Sequence, residues 1–146
     1  MALVDVLHIE DDDIDAEAVV RALAAYQDVL RIIRAADAFQ ALRILRGIDR
    51  LCLQPPYVVI LDLQLPGMSG FELLKVLRAD AQLSQSPVFV LTGSNDPVHK
   101  QQALRQQVVA YIHKNVFHTQ SQRCIRLLVR YVRCRVMRPS GDPISS

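Results

Sequence analysis

The sequence has little of what membrane, secreted and metal-thiolate proteins need. No apolar run approaches the roughly 20 residues of a membrane span, and the N-terminus lacks the basic-then-apolar layout of a signal peptide. The cysteines, Cys52, Cys124 and Cys134, are widely spaced and include no C-x-x-C pair, so neither zinc ligation nor a disulfide framework is indicated. These absences predict a cytoplasmic protein with reduced thiols and no membrane partner.

Aromatic residues make up only 5% of the chain, and acidic residues are almost missing from its last third. Residues 1–96 hold 14 acidic and 8 basic side chains, a net charge of −6, whereas residues 97–146 hold 1 acidic and 9 basic, a net of +8. Four of these basic residues lie along one side of the last predicted helix: Arg123, Arg126, Arg130 and Arg133. Such a row could follow a nucleic-acid backbone, but aromatics are sparse and no binding motif is appended. The pattern favours a solvated basic face that attracts an acidic protein over a nucleic-acid partner.

The composition, 51% hydrophobic and 22% charged, is typical of a soluble globular domain, which we expect over residues 1–138 with a disordered tail over 139–146. Apolar runs predict strands over 4–9, 30–34, 58–61, 87–91 and 108–113. Periodicity and capping residues predict helices over 14–25, 37–46, 70–79, 97–107 and 120–137. Strands that alternate with helices favour right-handed βαβ units around a buried parallel sheet.

The most informative stretch is V-V-I-L-D-L-Q-L-P-G-M-S-G, at residues 58–70. Its four leading apolar residues predict a central strand that is buried on both faces. Asp62 comes at the carboxyl end of this strand, where open α/β sheets place ligand chemistry. Asp is also a common turn former and helix cap, so Asp62 alone leaves both a structural and a functional interpretation open.

Polar side chains follow the other predicted strands too. Glu10 and Asp11 follow the first strand, Thr92 follows the fourth and Lys114 follows the fifth, so all of them should share one rim with Asp62. A cluster of carboxylates suits Mg²⁺, a lysine supplies a point charge for a phosphoryl group, and a hydroxyl supplies a hydrogen-bond donor. The rim therefore predicts phosphoryl transfer onto a carboxylate.

In order and spacing, four motifs resemble the receiver domain of bacterial response regulators: V-L-H-I-E-D-D, D-L-Q-L-P-G-M-S-G, L-T-G and Y-I-H-K. The resemblance covers about residues 3–138. The stretch L-D-L-Q-L-P-G-M-S-G-F-E-L-L-K-V-L-R and the chain length look most similar to stand-alone regulators that serve phytochrome-type histidine kinases. The resemblance implies a flavodoxin-like, doubly wound α/β fold with a five-stranded parallel sheet of order 2-1-3-4-5 flanked by five helices.

The resemblance also implies an acceptor and a metal site. Asp62 would accept a phosphoryl group from the phosphohistidine of a sensor histidine kinase in a two-component phosphorelay. Asp11 and Asp62 would ligate Mg²⁺ directly together with the backbone carbonyl of Gln64, and Glu10 would act through water. We expect a phosphoacceptor rather than an enzyme, one that catalyses at most its own phosphotransfer and dephosphorylation.

Three further residues would respond to the phosphoryl group. Lys114 would pair with its oxygens, Thr92 would hydrogen-bond them, and Tyr111 would swing inward as Thr92 moves, which makes a two-state switch. The chain departs from the family at Asn115, where receivers have a cis-proline after the lysine. A cis bond before a non-proline residue costs about 3–4 kcal/mol, so we expect a trans peptide and a displaced lysine loop.

Two other functions remain as alternatives. Aspartyl-phosphate hydrolases also place a nucleophilic Asp after a central strand, but their D-x-D motif needs a second carboxylate where this chain has Gln64. We also expect that no cap domain fits. A degenerate receiver that acts only as a protein-interaction module is the other alternative. The intact acceptor and acidic pair argue against it.

The last predicted helix has two apolar faces. One stripe is the width of a face docked on a sheet: Ile125, Leu128, Val129, Val132 and Val136. Leu127, Tyr131 and Cys134 fall almost opposite, flanked by Arg130 and Arg138, so we expect them to be exposed. This second face predicts a homodimer, with docking of the kinase as the alternative.

Overall fold

The computed structural model describes residues 3–48, 53 and 55–136. Five parallel strands form one sheet in the order β2-β1-β3-β4-β5, which confirms the implied flavodoxin-like topology. The strands are β1 (Val4–Ile9), β2 (Leu30–Ala35), β3 (Tyr57–Leu61), β4 (Val88–Thr92) and β5 (Ala110–His113). The helices are α1 (Asp13–Leu23), α2 (Ala38–Leu45), α3 (Gly70–Ala79), α4 (Pro97–Arg105), α5 (Lys114–Thr119) and α6 (Ser121–Tyr131).

Both faces of the sheet are buried, which is why its strands read as continuous apolar runs. On one face, strand residues such as Leu7 and Leu61 pack in a core that includes residues of α2, α3 and α4. On the other face, Val6 and Ile60 belong to a second core with residues of α1 and α6. Because helices cover both sides, the carboxyl ends of the strands form the crevice in which polar side chains can gather.

The predicted starts of three helices are confirmed by their caps. Asp12 accepts hydrogen bonds from the backbone N–H groups at the start of α1, Asp37 does so for α2, and Asp96 for α4, whose first residue is Pro97. Gly47 follows α2 with a φ of +67°, the left-handed conformation that is common at the residue after a helix.

The segment after β5 differs from its prediction. We expected a loop from Lys114 and one helix from about residue 120, but the chain forms the short helix α5 first. The described part of the chain therefore has six α-helices around the sheet rather than five. The side chain of His113 caps α5 by accepting a hydrogen bond from the N–H of Asn115 at 3.0 Å, and buried Phe117 anchors it to the core. Histidine is an uncommon cap, so the usual capping residues gave no signal here.

The end of the chain is described only in part. Beyond α6, residues Val132–Val136 form a π-helical turn. The predicted domain limit at 138 and the tail over 139–146 lie outside the described residues, as do Cys52, Arg138 and the side chain of Val136.

Candidate functional site

The polar residues predicted for the rim lie at the carboxyl ends of the strands. Glu10 follows β1, Asp62 follows β3, Thr92 ends β4, and Lys114 follows β5. Glu10 and Thr92 are fully buried, and Asp62 is only 2% exposed. Such burial is unusual for carboxylates unless they are paired or bind a cation.

The backbone around Asp62 holds its carboxylate in a defined place. The N–H of Asp62 donates to the carbonyl of Ile9 at 3.1 Å and extends the ladder between β1 and β3. One carboxylate oxygen, Oδ1, accepts a hydrogen bond from the N–H of Gln64 at 3.0 Å. Gly70 packs against this turn, and its N–H donates to the carbonyl of Leu63. Asp62 is therefore oriented by both the strand and the loop that follows it.

Three carboxylates meet at the rim. Glu10, Asp11 and Asp62 each offer a carboxylate oxygen, and these oxygens lie within 4.8 Å of one another. Arg34 on β2 fixes the backbone of the cluster, since its guanidinium donates two hydrogen bonds to the carbonyl of Glu10. The sequence prediction placed these three acids together, and the structure does so.

The donor set fits a divalent cation such as Mg²⁺. Hard oxygen ligands are those that Mg²⁺ prefers, and Asp11 is exposed while Glu10 and Asp62 are buried, which leaves the cluster open on one side. Glu10 Oε1 is buried, and the ammonium of Lys114 lies 2.9 Å from it without good hydrogen-bond geometry. Burial, together with the charge of Asp62, raises the pKa of Glu10 to about 7 despite the nearby ammonium of Lys114. A cation bound at the cluster would offset the free-energy cost of holding Glu10 in its charged form.

Lys114 lies at the centre of the cluster. Its Nζ is 2.8 Å from Asp62 Oδ2 and 2.9 Å from Glu10 Oε1. Burial lowers the pKa of Lys114, but its carboxylate neighbours raise it more, so the ammonium is held above its ordinary range. The peptide bond from Lys114 to Asn115 is trans, as expected. Among the described residues, the cis peptide bond is the one between Pro55 and Pro56. The expected displacement of the lysine is wrong, since the N-terminus of α5 keeps its side chain in the site.

Asp15 also belongs to the site, and the sequence prediction missed it. Its Oδ2 lies 2.7 Å from Lys114 Nζ, and its Oδ1 lies 3.6 Å from His118 Nε2. Asp15 is on the first turn of α1, four residues after Asp11. Its place on the first turn of a helix that begins at the rim was the one signal in the sequence that could have indicated it.

Thr92 and Tyr111 lie on adjacent strands. Thr92 Oγ1 accepts a hydrogen bond from the N–H of Ser94 at 3.3 Å. The hydroxyl of Tyr111 is buried without a geometrically good hydrogen bond among the described residues, and Lys100 Nζ lies 5.8 Å from the centre of its ring. Burial, followed by the charges of Asp96 and Asp62, raises the pKa of Tyr111, while Ser94 lowers it. The roles of Thr92 and Tyr111 in a switch stay predictions.

The second face of the last helix is only partly as predicted. Leu127 is 51% exposed and Cys134 is exposed, but Tyr131 is half-buried, with its ring centre 5.4 Å from that of Phe89 in an edge-on contact. The expectation that Tyr131 is exposed is therefore wrong, because it packs on the edge of the second core. An open groove of about 660 Å³ lies beside Leu127, and it is lined by Tyr26, Arg123, Arg126, Leu127, Val129, Arg130, Arg133 and Cys134.

This sheet order, with buried acids and a lysine at the carboxyl edge, defines a flavodoxin-like α/β protein with an acidic cluster that could hold a divalent cation. The chain belongs to the response regulator receiver domain family, whose sequence profile matches residues 6–125. Within the described ranges, no helix combines the length and apolarity that crossing a bilayer requires.

Known proteins similar to this chain agree with that assignment. The transcriptional regulatory protein AfsQ1 of Streptomyces coelicolor is 32% identical over 139 residues, which are 95% of this chain and 55% of AfsQ1. The bacteriophytochrome response regulator RtBRR is 31% identical with a TM-score of 0.72, over 86% of this chain and 77% of that one. The Mn²⁺-bound response regulator Rcp1 has the same fold, with a TM-score of 0.79 at 23% identity over 93% of this chain and 99% of that one. The chain thus spans about half the length of its curated relative AfsQ1.

Proposed function

We propose that this receiver domain accepts a phosphoryl group on Asp62 from the phosphohistidine of a sensor histidine kinase. The observation that carries the proposal is the position of the Asp62 carboxylate between the ammonium of Lys114 and two acids that could hold a cation with it. Lys114 Nζ is 2.8 Å from its Oδ2, and the oxygens of Glu10 and Asp11 that could share a cation with it are within 4.8 Å. A buried carboxylate that is both oriented and flanked in this way is suited to act as a nucleophile.

The transfer needs one bond formed and one broken. An oxygen of Asp62 attacks the phosphorus, the P–N bond to the donor histidine breaks, and its electron pair returns to the imidazole nitrogen. Lys114 would then donate to a phosphoryl oxygen, and the hydroxyl of Thr92 would donate to another. Asp11, Asp62 and the carbonyl of Gln64 would hold Mg²⁺, with Glu10 acting through water, and the bound cation would supply charge that offsets repulsion between the carboxylate and the phosphoryl oxygens.

The protein would be a phosphoacceptor that catalyses at most its own phosphotransfer and dephosphorylation. Gln64 extends from the loop where the hydrolase motif has its acid, so no second carboxylate is supplied from that position. A receiver that only binds partners is the alternative. The convergence of Asp62, the acidic pair and Lys114 supports phosphorylation over it.

A phytochrome-type kinase is the partner that we propose, because RtBRR is named as a bacteriophytochrome response regulator. The cytoplasm as the place of action stays a prediction.

We also keep the proposal of a homodimer through Leu127, Cys134 and Arg130, with Tyr131 at the edge of that face, and kinase docking there as its alternative.

Transfer of radiolabelled phosphate from a kinase prelabelled on its histidine tests the acceptor. We expect label on the wild type in Mg²⁺, no label in EDTA, and no label on Asp62→Asn, which keeps the shape but removes the nucleophile. Asp28→Asn is the matched control, since Asp28 is exposed before β2, at the opposite edge of the sheet. Equal labelling of Asp62→Asn and the control would exclude Asp62 as the acceptor.

Titration of the same proteins with Mg²⁺ tests the metal site independently of any kinase. Asp11→Ala should lose most Mg²⁺ affinity while its circular dichroism stays that of the wild type, because Asp11 is exposed and contributes a ligand rather than packing. Asp28→Ala should bind as the wild type does. Unchanged affinity in Asp11→Ala would place the cation elsewhere.

A further inference from the structure

The ammonium of Lys114 contacts three carboxylates, of which only two belong to the metal cluster. An ammonium has three N–H donors. Glu10 Oε1, Asp62 Oδ2 and Asp15 Oδ2 surround it at 2.9, 2.8 and 2.7 Å. Asp15 makes the shortest of these contacts and lies outside the group of acids that could hold a cation. Its carboxylate therefore has no assigned function in phosphoryl transfer.

Asp15 also joins two helices that are far apart in the chain. It projects from α1, while both of its partners, Lys114 and His118, lie one turn apart on α5. A helix of six residues is too short to be stable alone. Phe117 anchors α5 to the core on its apolar side, and Asp15 holds it on its polar side.

A divalent cation at the cluster would compete with Lys114. The cation needs oxygens of Glu10 and Asp62, which are the same groups that the ammonium contacts, and two cations that share ligands repel each other. The carboxylate of Asp15 is the one contact of Lys114 that a cation in the cluster would leave in place. Without it, the ammonium could balance its charge only by holding the ligands of the metal.

We propose that Asp15 is a positioning residue that holds Lys114 beside Asp62 while the cluster binds its cation. The inference rests on the proposed function, because the purpose of keeping the ammonium there is contact with the phosphoryl oxygens. Asp15 thereby has two effects. It draws Lys114 away from the metal ligands, and it keeps the lysine within reach of the acceptor.

The first test is a double-mutant cycle on Mg²⁺ affinity in the unphosphorylated protein. Asp15→Asn keeps the size and loses the charge, so we expect Mg²⁺ binding to weaken about tenfold. With Lys114→Met as the background, the same change should have only the small effect of removing a nearby charge, because the competing ammonium is gone. Glu17→Gln is the matched control, since Glu17 is an exposed acid on the same helix.

The second test is the rate of phosphorylation by a small-molecule phosphodonor, acetyl phosphate, at saturating Mg²⁺. Asp15→Asn should be slower than Glu17→Gln even when every molecule has its cation, because Lys114 is no longer held in place. Asp15→Glu restores the charge and should recover part of the rate. Thermal unfolding of each variant separates these effects from a loss of structure.

Two results would overturn the proposal. One is that Asp15→Asn lowers Mg²⁺ affinity by the same factor in the wild type and in the Lys114→Met background. Asp15 would then act on the cation only through its negative charge and not through Lys114. The other is a wild-type rate for Asp15→Asn at saturating Mg²⁺. Failure of the proposed function would be recognised separately, by label on Asp62→Asn, and the Mg²⁺ cycle would still report on Asp15.

Discussion

At the scale of single residues, the acidic run at positions 10–15 is tolerated because its members have different partners. Asp12 accepts hydrogen bonds from two N–H groups at the start of α1, at 2.9 and 3.0 Å. Asp13 pairs with Arg34 at 2.7 Å, and Asp15 pairs with Lys114. The charges near the helix start are also favoured by its dipole. None of these contacts uses the carboxylate of Asp11, while that of Glu10 shares the ammonium of Lys114 with Asp15.

Gly70 is the residue on which the position of Asp62 depends most directly. A Cβ at this position would overlap the carbonyl oxygen of Asp62 and the Cα of Leu63, which are backbone atoms that cannot rotate away. We expect Gly70→Ala to lower the free energy of unfolding by about 1–3 kcal/mol. It should also weaken Mg²⁺ binding and phosphorylation, because the turn that carries Asp62 must move.

Gly47→Ala is the control for this prediction. Gly47 has a φ of +67° and open space around it, so alanine should cost about 1–2 kcal/mol through backbone strain alone. Chemical denaturation gives the stability of both variants, and Mg²⁺ titration gives their affinity. Wild-type affinity in Gly70→Ala would mean that the turn accommodates a side chain without moving Asp62.

At the scale of elements, one arginine of α3 holds two connections of the fold together. The guanidinium of Arg78 donates to the carbonyls of Ser84 and Ser86, before β4, and of Gln106, before β5. These connections lie at the amino ends of the strands, away from the candidate site. The planar guanidinium presents five N–H donors in a rigid fork, whereas a lysine presents three on one nitrogen at the end of a flexible stem.

Loss of Arg78 should therefore lower stability without changing function. We expect Arg78→Met to reduce the free energy of unfolding by roughly 2–4 kcal/mol, since several partly buried carbonyls lose their donor. Arg78→Lys should recover less than half of this loss. Lys75→Met, at an exposed position on the same helix, should change stability by no more than about 0.5 kcal/mol. The role of Arg78 would be contradicted if denaturant titration gave Arg78→Met the same small loss of unfolding free energy as Lys75→Met.

At the scale of the whole molecule, positive charge is concentrated on one side of α6. The open groove there is lined by four arginines and by apolar side chains that include Leu127. Helix α6 itself has no acidic residue. A symmetric dimer through this face would need each row of arginines to meet acidic residues of the other copy, because facing rows would repel each other.

Light scattering at tens of micromolar tests the proposed homodimer. A dimer with a Kd of about 1 μM would be mostly assembled at that concentration. Leu127→Glu should convert it to a folded monomer, whereas Leu104→Glu should not, because Leu104 is equally exposed at 51% but lies on α4. Tyr131 is less suitable for this test because it packs on Phe89. A monomeric wild type would exclude self-association and favour docking of the kinase.

The sequence by itself determined the alternation of strands and helices as far as β5, and the edge at which the polar residues meet. Each of these features is local, since apolar runs define strands and polar residues at their carboxyl ends must face one crevice. Asp12, Asp37 and Asp96 likewise mark helix starts through contacts with their own neighbours. The resemblance to receivers then supplied the sheet order, which the structure confirms.

Only the tertiary structure decided how distant side chains pair. Asp15 and Lys114 are separated by 99 positions, and their contact depends on how α1 and α5 are rotated on the same face of the sheet. The burial of Tyr131 against Phe89 and the reach of Arg78 across two connections are of the same kind. Periodicity shows which face of an element is apolar, but which polar atoms come within 3 Å depends on the packing of the complete fold.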